Sequence, residues 1–300
     1  MNWTQLRRNI ALGWGQGHFD EYWPWLQIRR RNPSKRGNQV SGDLPGYRRL
    51  SSFMGRVEWH FALLCLWLGA VDVREQFPIW PMPHRHPLAT FPRRPRPGKL
   101  PDHRGLLEVA RDAGIDHGWE VGHPDVPYVA TVDIAVTRVV DGRLALGMIA
   151  GKPRESVDES SPDSRIIERL ELQLRYSAEV SATFSIVDAA VIGEHFGANL
   201  EGFACAAFPK GRLSDKSLIA DFAANISSVG ARESINDAIR EAATRFSLSD
   251  QDACILFRTG VWRRLIDLDM SQYIVMSYPL VSGAELVAQM EKELFKEIPL

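Results

Sequence analysis

Apolar and polar positions alternate most cleanly over residues 126–152, VPYVATVDIAVTRVVDGRLALGMIAGK. Two β-rich runs meet at Asp141-Gly142, and an Asp-Gly pair between alternating runs is a strong local signal for a hairpin. Placing those two residues in the turn pairs Val140 with Arg143 and, counting back, Asp133 with Ala150. Lys152 lies two residues beyond Ala150 and so shares its face. The register therefore gathers Asp133, the backbone at Ala150 and Lys152 at one end of the hairpin. A carboxylate beside an ammonium on a sheet suits metal-assisted hydrolysis, and it equally suits an ordinary salt bridge.

The pattern elsewhere predicts the elements around this hairpin. Residues 55–69 form a helix with Val57, Phe61, Leu64 and Leu68 in one stripe, while Trp59, Ala62, Leu63, Leu66 and Trp67 fill most of the rest. A helix apolar on nearly all sides is a buried one. Glu58 is its single carboxylate. Buried, it needs a cation, a hydrogen-bond donor or a metal; exposed in the first turn, it would simply suit the helix dipole. Residues 71–80, VDVREQFPIW, alternate as a strand ended by Pro78. Residues 81–103 are dense in Pro, Arg and His and read as a long surface loop. Within it His84 and His86 form a His-x-His pair, a weak metal signal without a nearby carboxylate or cysteine. A short amphipathic helix over 104–113 stops at Gly114.

After the hairpin, the polar stretch 153–163 leads into a helix over 164–180. Ile166, Ile167, Leu170, Leu174 and Ala178 make its inner stripe, with Glu171 beside it. A strand over 183–187 follows, and Asp188 caps the next helix. The order helix, strand, helix, hairpin, helix, strand is mixed α/β around a central sheet. From about residue 200 the character changes. Ser214, Ser234 and Ser249 precede helical runs, 249–260 and 261–268 read as two helices with a tight turn, and 272–278 as a wing. This is the outline of a small, mainly helical domain of winged-helix type. Asp250, Asp252, Asp267 and Asp269 stand near Arg258, Arg263 and Arg264, and that mixed charge favours protein docking over DNA reading.

Length and charge add a division of labour. Three hundred residues suggest two domains. The net charge of −1 hides a basic front half: Arg7, Arg8, Arg29, Arg30, Arg31, Lys35, Arg36, Arg48, Arg49 and Arg56 face only Asp20, Glu21 and Asp43 over residues 1–56. A second basic run holds Arg93, Arg94, Arg96, Lys99 and Arg104. Such asymmetry fits either a polyanion-binding surface or a solvated basic one. Aromatic residues sit among these charges in Tyr22-Trp23-Pro24-Trp25-Leu26, where they could lie against a nucleic acid or pack onto the core, packing being favoured. Gly13-Trp14-Gly15-Gln16-Gly17 lacks the preceding strand and the Lys-Ser/Thr of a phosphate loop. Cys65, Cys205 and Cys254 are isolated, so neither a zinc site nor a disulfide framework is supported. The longest apolar run, 61–71, is too short for a membrane span and the N-terminus lacks a signal-peptide core. The expectation is a cytoplasmic protein with no membrane partner.

Four stretches, in order, resemble the TnsA-type endonuclease subunit of heteromeric bacterial transposases. The first is the glycine-glutamine stretch at 13–17 with Tyr22-Trp23-Pro24-Trp25-Leu26, similar to the family's "Y-K-P-W-L" opening. Glu58 followed by Glu75-Gln76-Phe77-Pro78 resembles its helix glutamate and "E-Q-F-P" strand. Ala113-Gly114-Ile115-Asp116-His117 and Thr131-Val132-Asp133 resemble the lead-in to its aspartate. Arg169-Leu170-Glu171-Leu172-Gln173-Leu174-Arg175-Tyr176 resembles its "K-L-E-x-E-R-R-Y" helix.

The resemblance implies an α/β restriction-endonuclease-like core with a PD-(D/E)xK site and a smaller, winged-helix-like C-terminal domain. It divides the chain into an N-terminal arm at 1–50, a nuclease-like domain at 51–200 and a helical docking domain at 201–300. It implies Mg²⁺-dependent (or Mn²⁺-dependent) cleavage of double-stranded DNA at the 5′ side of transposon ends. The implied partners are a TnsB-type transposase cutting the other strand and a TnsC-type ATPase regulator. Residue by residue, Glu58 becomes the helix carboxylate, Asp133 the metal-binding aspartate and Lys152 the site lysine, with Glu171 on a later helix glutamate.

The departures are local. Ala150 stands where the family usually has Gln or Glu, leaving a backbone carbonyl as the ligand there beside Glu58 and Asp133. Gly151 and Pro153 flank the lysine unusually, and Trp14 and Trp23 replace residues usually basic. Two rival expectations remain: a catalytically degraded DNA-binding adaptor with the same fold, and a stand-alone restriction or repair nuclease.

Overall fold

The hairpin turn at Asp141-Gly142 is present: both residues have positive φ, +48° and +73°, as a two-residue turn of this kind requires. In this computed structural model, which describes residues 1–27, 39–92, 100–152 and 164–295, the turn joins β6 (Ala130–Val140) to β7 (Arg143–Gly151). Their antiparallel ladder runs from Val140↔Arg143 to Ile134↔Ile149, the register counted from the turn.

Two further strands complete a four-stranded sheet in the order β3-β6-β7-β8. β3 (Asp72–Ile79) pairs antiparallel with β6, and β8 (Ala182–Val187) parallel with β7. A parallel pair needs a crossover, supplied by the helix over Ser164–Glu179. In chain order the unit's helices are α1 (Trp3–Ala11), α2 (Arg56–Trp67), α3 (Leu106–Ala113) and α4 (Ser164–Glu179). Small two-stranded pairs are made by β1 (Val40–Asp43) with β2 (Leu50–Phe53), and by β4 (Trp119–Glu120) with β5 (His123–Pro127). Together with a C-terminal piece from Lys292 onward, residues 1–43 and 49–191 form one compact unit of mixed α/β type.

Alternation in 71–80 predicts one wet face, yet every residue of β3 is buried. The N-terminal segment explains the difference by covering it. His18 Nδ1 meets Asp72 Oδ2 at 2.8 Å, Phe19 N–H donates to Asp72 Oδ1 at 3.0 Å, and the Tyr22 hydroxyl donates to the Glu75 carbonyl at 2.9 Å. Arg49 grips the buried Glu75 carboxylate with two nitrogens, at 2.6 and 2.7 Å. Arg49 thus leaves the pool of basic residues open to a polyanion. The strand also runs one residue past Pro78, which an edge strand tolerates. Of the aromatic cluster, Tyr22 and Trp25 are buried; Trp25 lies edge-on to Trp80 with ring centroids 5.1 Å apart. Trp23 is exposed. The basic stretches at 29–36 and 93–99 lie outside the described residues.

The second unit comprises Leu44–Arg48 and Ile192–Glu291. Among its described residues are the helices α5 (Glu194–Ala204), α6 (Lys216–Gly230), α7 (Ile235–Arg245), α8 (Asp250–Trp262) and most of α9 (Ala284–Leu294), and no strand. Helical runs do follow Ser214, Ser234 and Ser249; Ser234 and Ser249 cap α7 and α8, and Asp215 caps α6.

Two expectations are corrected here. The expected break after Gly260 is absent: α8 runs on to Trp262, and the chain turns at Arg264, whose φ is +58°. The expected wing at 272–278 is irregular. Its carbonyls at Met276 and Tyr278 accept from the first-turn amides of α7, Asn236 and Ile235, both at 2.9 Å. Those oxygens cap a helix end instead of pairing with a strand. Cys205 and Cys254 are exposed, while the Cys65 thiol is buried and its pKa is pushed up to about 12. Among the described residues no helix is long and apolar enough to cross a membrane.

Candidate active site

The end of the β6–β7 hairpin, β3 and the start of α2 bring the expected residues together. Glu58 is the third residue of α2, and its side chain turns back so that Oε2 accepts from Met54 N–H at 3.0 Å. The contact reaches one residue beyond the N-cap, Gly55, and it fixes the carboxylate at the positive end of the helix dipole. Gln76 of β3 adds a second donor to the same oxygen at 3.1 Å. Asp133 of β6 accepts at Oδ2 from Gly151 N–H at 2.8 Å and from Lys152 Nζ at 3.0 Å. Lys152 also donates to the Gly151 carbonyl at 3.0 Å, and its own N–H is tied to the Val187 carbonyl of β8 at 3.0 Å. Asp133 and Lys152 stay partly open, at 17% and 27% side-chain exposure.

The electrostatics of the pair are unbalanced. Burial, then the nearby charge of Asp133, pushes the Glu58 carboxyl up to about 7, against smaller opposing effects of Met54 N–H, Lys152 and Gln76. Each carboxylate spends one oxygen on hydrogen bonds. Among the described residues none donates to Glu58 Oε1 or to Asp133 Oδ1. Two repelling carboxylates, each with one oxygen unengaged, fit a divalent cation: Mg²⁺ characteristically takes one or two carboxylates and keeps several waters. No group of three or more His, Cys, Asp or Glu side chains suited to a metal occurs among the described residues. The rest of a coordination shell would have to be backbone oxygen, solvent or substrate.

Ala150 offers no side-chain ligand, its methyl being fully enclosed in the core that holds Leu170 and Leu172. A cavity of about 190 Å³ opens beside Lys152, lined by His117, Tyr128, Thr131, Arg169 and Gln173 among others. Gln173 anchors this wall by donating to the Thr131 carbonyl at 3.0 Å. Residues four apart share a helix face, so α4 presents Arg169 and Gln173 to the cavity. Glu171, two positions off, instead pairs with Arg175 at 2.5 Å on a partly exposed face. His84 and His86 are structural: His84 meets the Tyr176 hydroxyl at 2.8 Å and the Met82 carbonyl at 3.0 Å. His86 meets the Val180 carbonyl and Leu88 N–H, both at 3.0 Å.

Pattern reading names Gln76 and Thr131 only inside motifs and gives neither a role. The available signal was the register: continuing the β3–β6 ladder sets Gln76 opposite Asp133.

No protein-family profile matches the chain. Over 174 residues it is 30% identical to the transposon Tn7 transposition protein TnsA of Escherichia coli, a stretch that covers 58% of this chain and 52% of that protein. This chain is similar to TnsA over that stretch. It spans about half the length of that curated relative, and the resemblance read from the four stretches is the one the comparison returns.

Proposed function

We propose that the α/β unit is a metal-dependent DNA endonuclease acting in transposition. The observation that carries this reading is the meeting of Glu58, Asp133 and Lys152, with one oxygen of each carboxylate unengaged among the described residues, in a chain similar to a transposition protein. Glu58 and Asp133, with the carbonyl of Ala150, would hold Mg²⁺ or Mn²⁺. A bound divalent cation supplies polarisation of a phosphoryl oxygen and hydroxide at neutral pH.

The chain's own groups do the rest. Lys152, held by Asp133, presents an ammonium that offsets charge growing on the scissile phosphate and orients the attacking water. Glu58, whose carboxyl is raised to about 7 without a metal, would give up any proton on taking the cation. Arg169 and the cavity beside Lys152 offer a cationic wall to the DNA backbone without reading its sequence. The substrate in this reading is double-stranded DNA at transposon ends, cut at the 5′ side while a TnsB-type transposase cuts the other strand. The second, helical unit is the proposed dock for a TnsC-type ATPase.

End-bearing DNA incubated with Mg²⁺, this protein and its transposase should be cut at the 5′ side of the ends, and Asp133→Ala should abolish that cut while the transposase's cut of the other strand remains. Persistent 5′-side cutting by that variant sinks the site. One observation favours a second reading, an inactive adaptor: Ala150 contributes only a buried methyl. An adaptor binds end DNA but never nicks it, with or without Mg²⁺. Cleavage without any transposase would point to a stand-alone nuclease.

A further inference from the structure

Gln76 is the one residue of this site with an unusual backbone. Its φ is +47°, in the left-handed region that non-glycine residues seldom enter, yet it lies inside a strand. The distortion falls on a single rung. β3 and β6 pair from Asp72↔Thr137 to Glu75↔Ile134, and again from Phe77↔Val132 to Ile79↔Ala130, without a change of register. Only the rung between Gln76 and Asp133 is missing. Strain of this kind persists where surroundings over-determine it, and it gathers at functional sites.

The surroundings are the site's own polar groups. Gln76 Nε2 donates to Glu58 Oε2 at 3.1 Å, and Oε1 accepts from the Thr131 hydroxyl at 3.3 Å. The residue is 2% exposed, so its carboxamide has no solvent to turn to. Both ends of the amide are thereby engaged, and the Glu58 carboxylate is held with Oε1 left open.

We propose that Gln76 is a positioning residue of the cation site, fixing the Glu58 carboxylate from β3 and supplying the polar side chain that Ala150 on β7 does not. This rests on the reading of Glu58 and Asp133 as cation-binding carboxylates. It predicts that the carboxamide, not the backbone conformation alone, sets metal affinity.

Calorimetric titration of the whole chain with Mn²⁺ tests it, using Gln76→Ala, Gln76→Gly and Asp133→Ala, each checked for folding by circular dichroism. Alanine removes the amide and keeps the strain, whereas glycine removes both because positive φ suits it. Both Gln76 variants should bind Mn²⁺ about 10–100-fold more weakly, the usual loss when a ligand's hydrogen-bond partner is removed. Unchanged affinity in Gln76→Gly would assign the position a backbone role and overturn the inference. If Asp133→Ala loses Mn²⁺ while Gln76→Gly keeps it, the inference fails alone. Undiminished binding by Asp133→Ala, or none by the unaltered protein, removes the underlying reading and the inference with it.

Discussion

Glu58 carries the sharpest residue-scale consequence, because its carboxyl is raised from 4.5 to about 7 in the folded protein. A raised carboxyl favours folding while protonated. Its contribution is fully present below pH 4.5 and is lost as pH rises through about 7. Glu58→Gln should therefore stabilise the metal-free protein at pH 8.5 by about 3 kcal/mol, from the size of the shift. The advantage should shrink towards pH 5. Urea unfolding in EDTA at pH 5, 7 and 8.5 reads this directly, and a pH-independent difference would contradict it. The buried pair of Arg49 and Glu75 behaves differently. Arg49→Ala strands a fully buried carboxylate and should cost about 3–5 kcal/mol in the same assay.

At the scale of elements, the hairpin was the most legible part, because its turn requires Asp-Gly chemistry and its two faces differ. Its register carried Asp133 to Lys152 without help from any other element. Gly142→Ala should cost about 1 kcal/mol, since alanine resists the +73° φ found there. Chemical denaturation of that variant, with Mn²⁺ binding left intact, checks that the turn sets register rather than chemistry. β3 was half legible. Its alternation marked a strand but implied a solvated face, and the covering residues, His18, Tyr22 and Arg49, lie 20 or more positions away in sequence. The segment at 272–278 misled because a short run of β-formers looks the same whether its carbonyls meet a strand or the amides of α7. Glu58 resolved from two readings into one only when Gln76 and Asp133 arrived beside it from other elements.

Across the whole molecule, the histidines set the acid limit. His18, His84, His86, His103 and His117, five of the chain's eight, all have their pKa lowered, burial being the leading cause in each. The unfolded chain binds protons at these rings first, so their contribution is intact above about pH 6.5 and falls as pH drops below it. Thermal unfolding should show Tm declining steeply between pH 6.5 and 5, and a flat profile there would contradict the burial assigned to them. The central claim, that Glu58, Asp133 and Lys152 act as one unit, is tested most directly by Mg²⁺-dependent nicking rates of the three single alanine variants and the triple variant. Groups that work as a unit are non-additive: each single variant should lose at least about 100-fold, and the triple should be little worse than the worst single. Near-normal nicking by Asp133→Ala, or losses that multiply through to the triple variant, would contradict it.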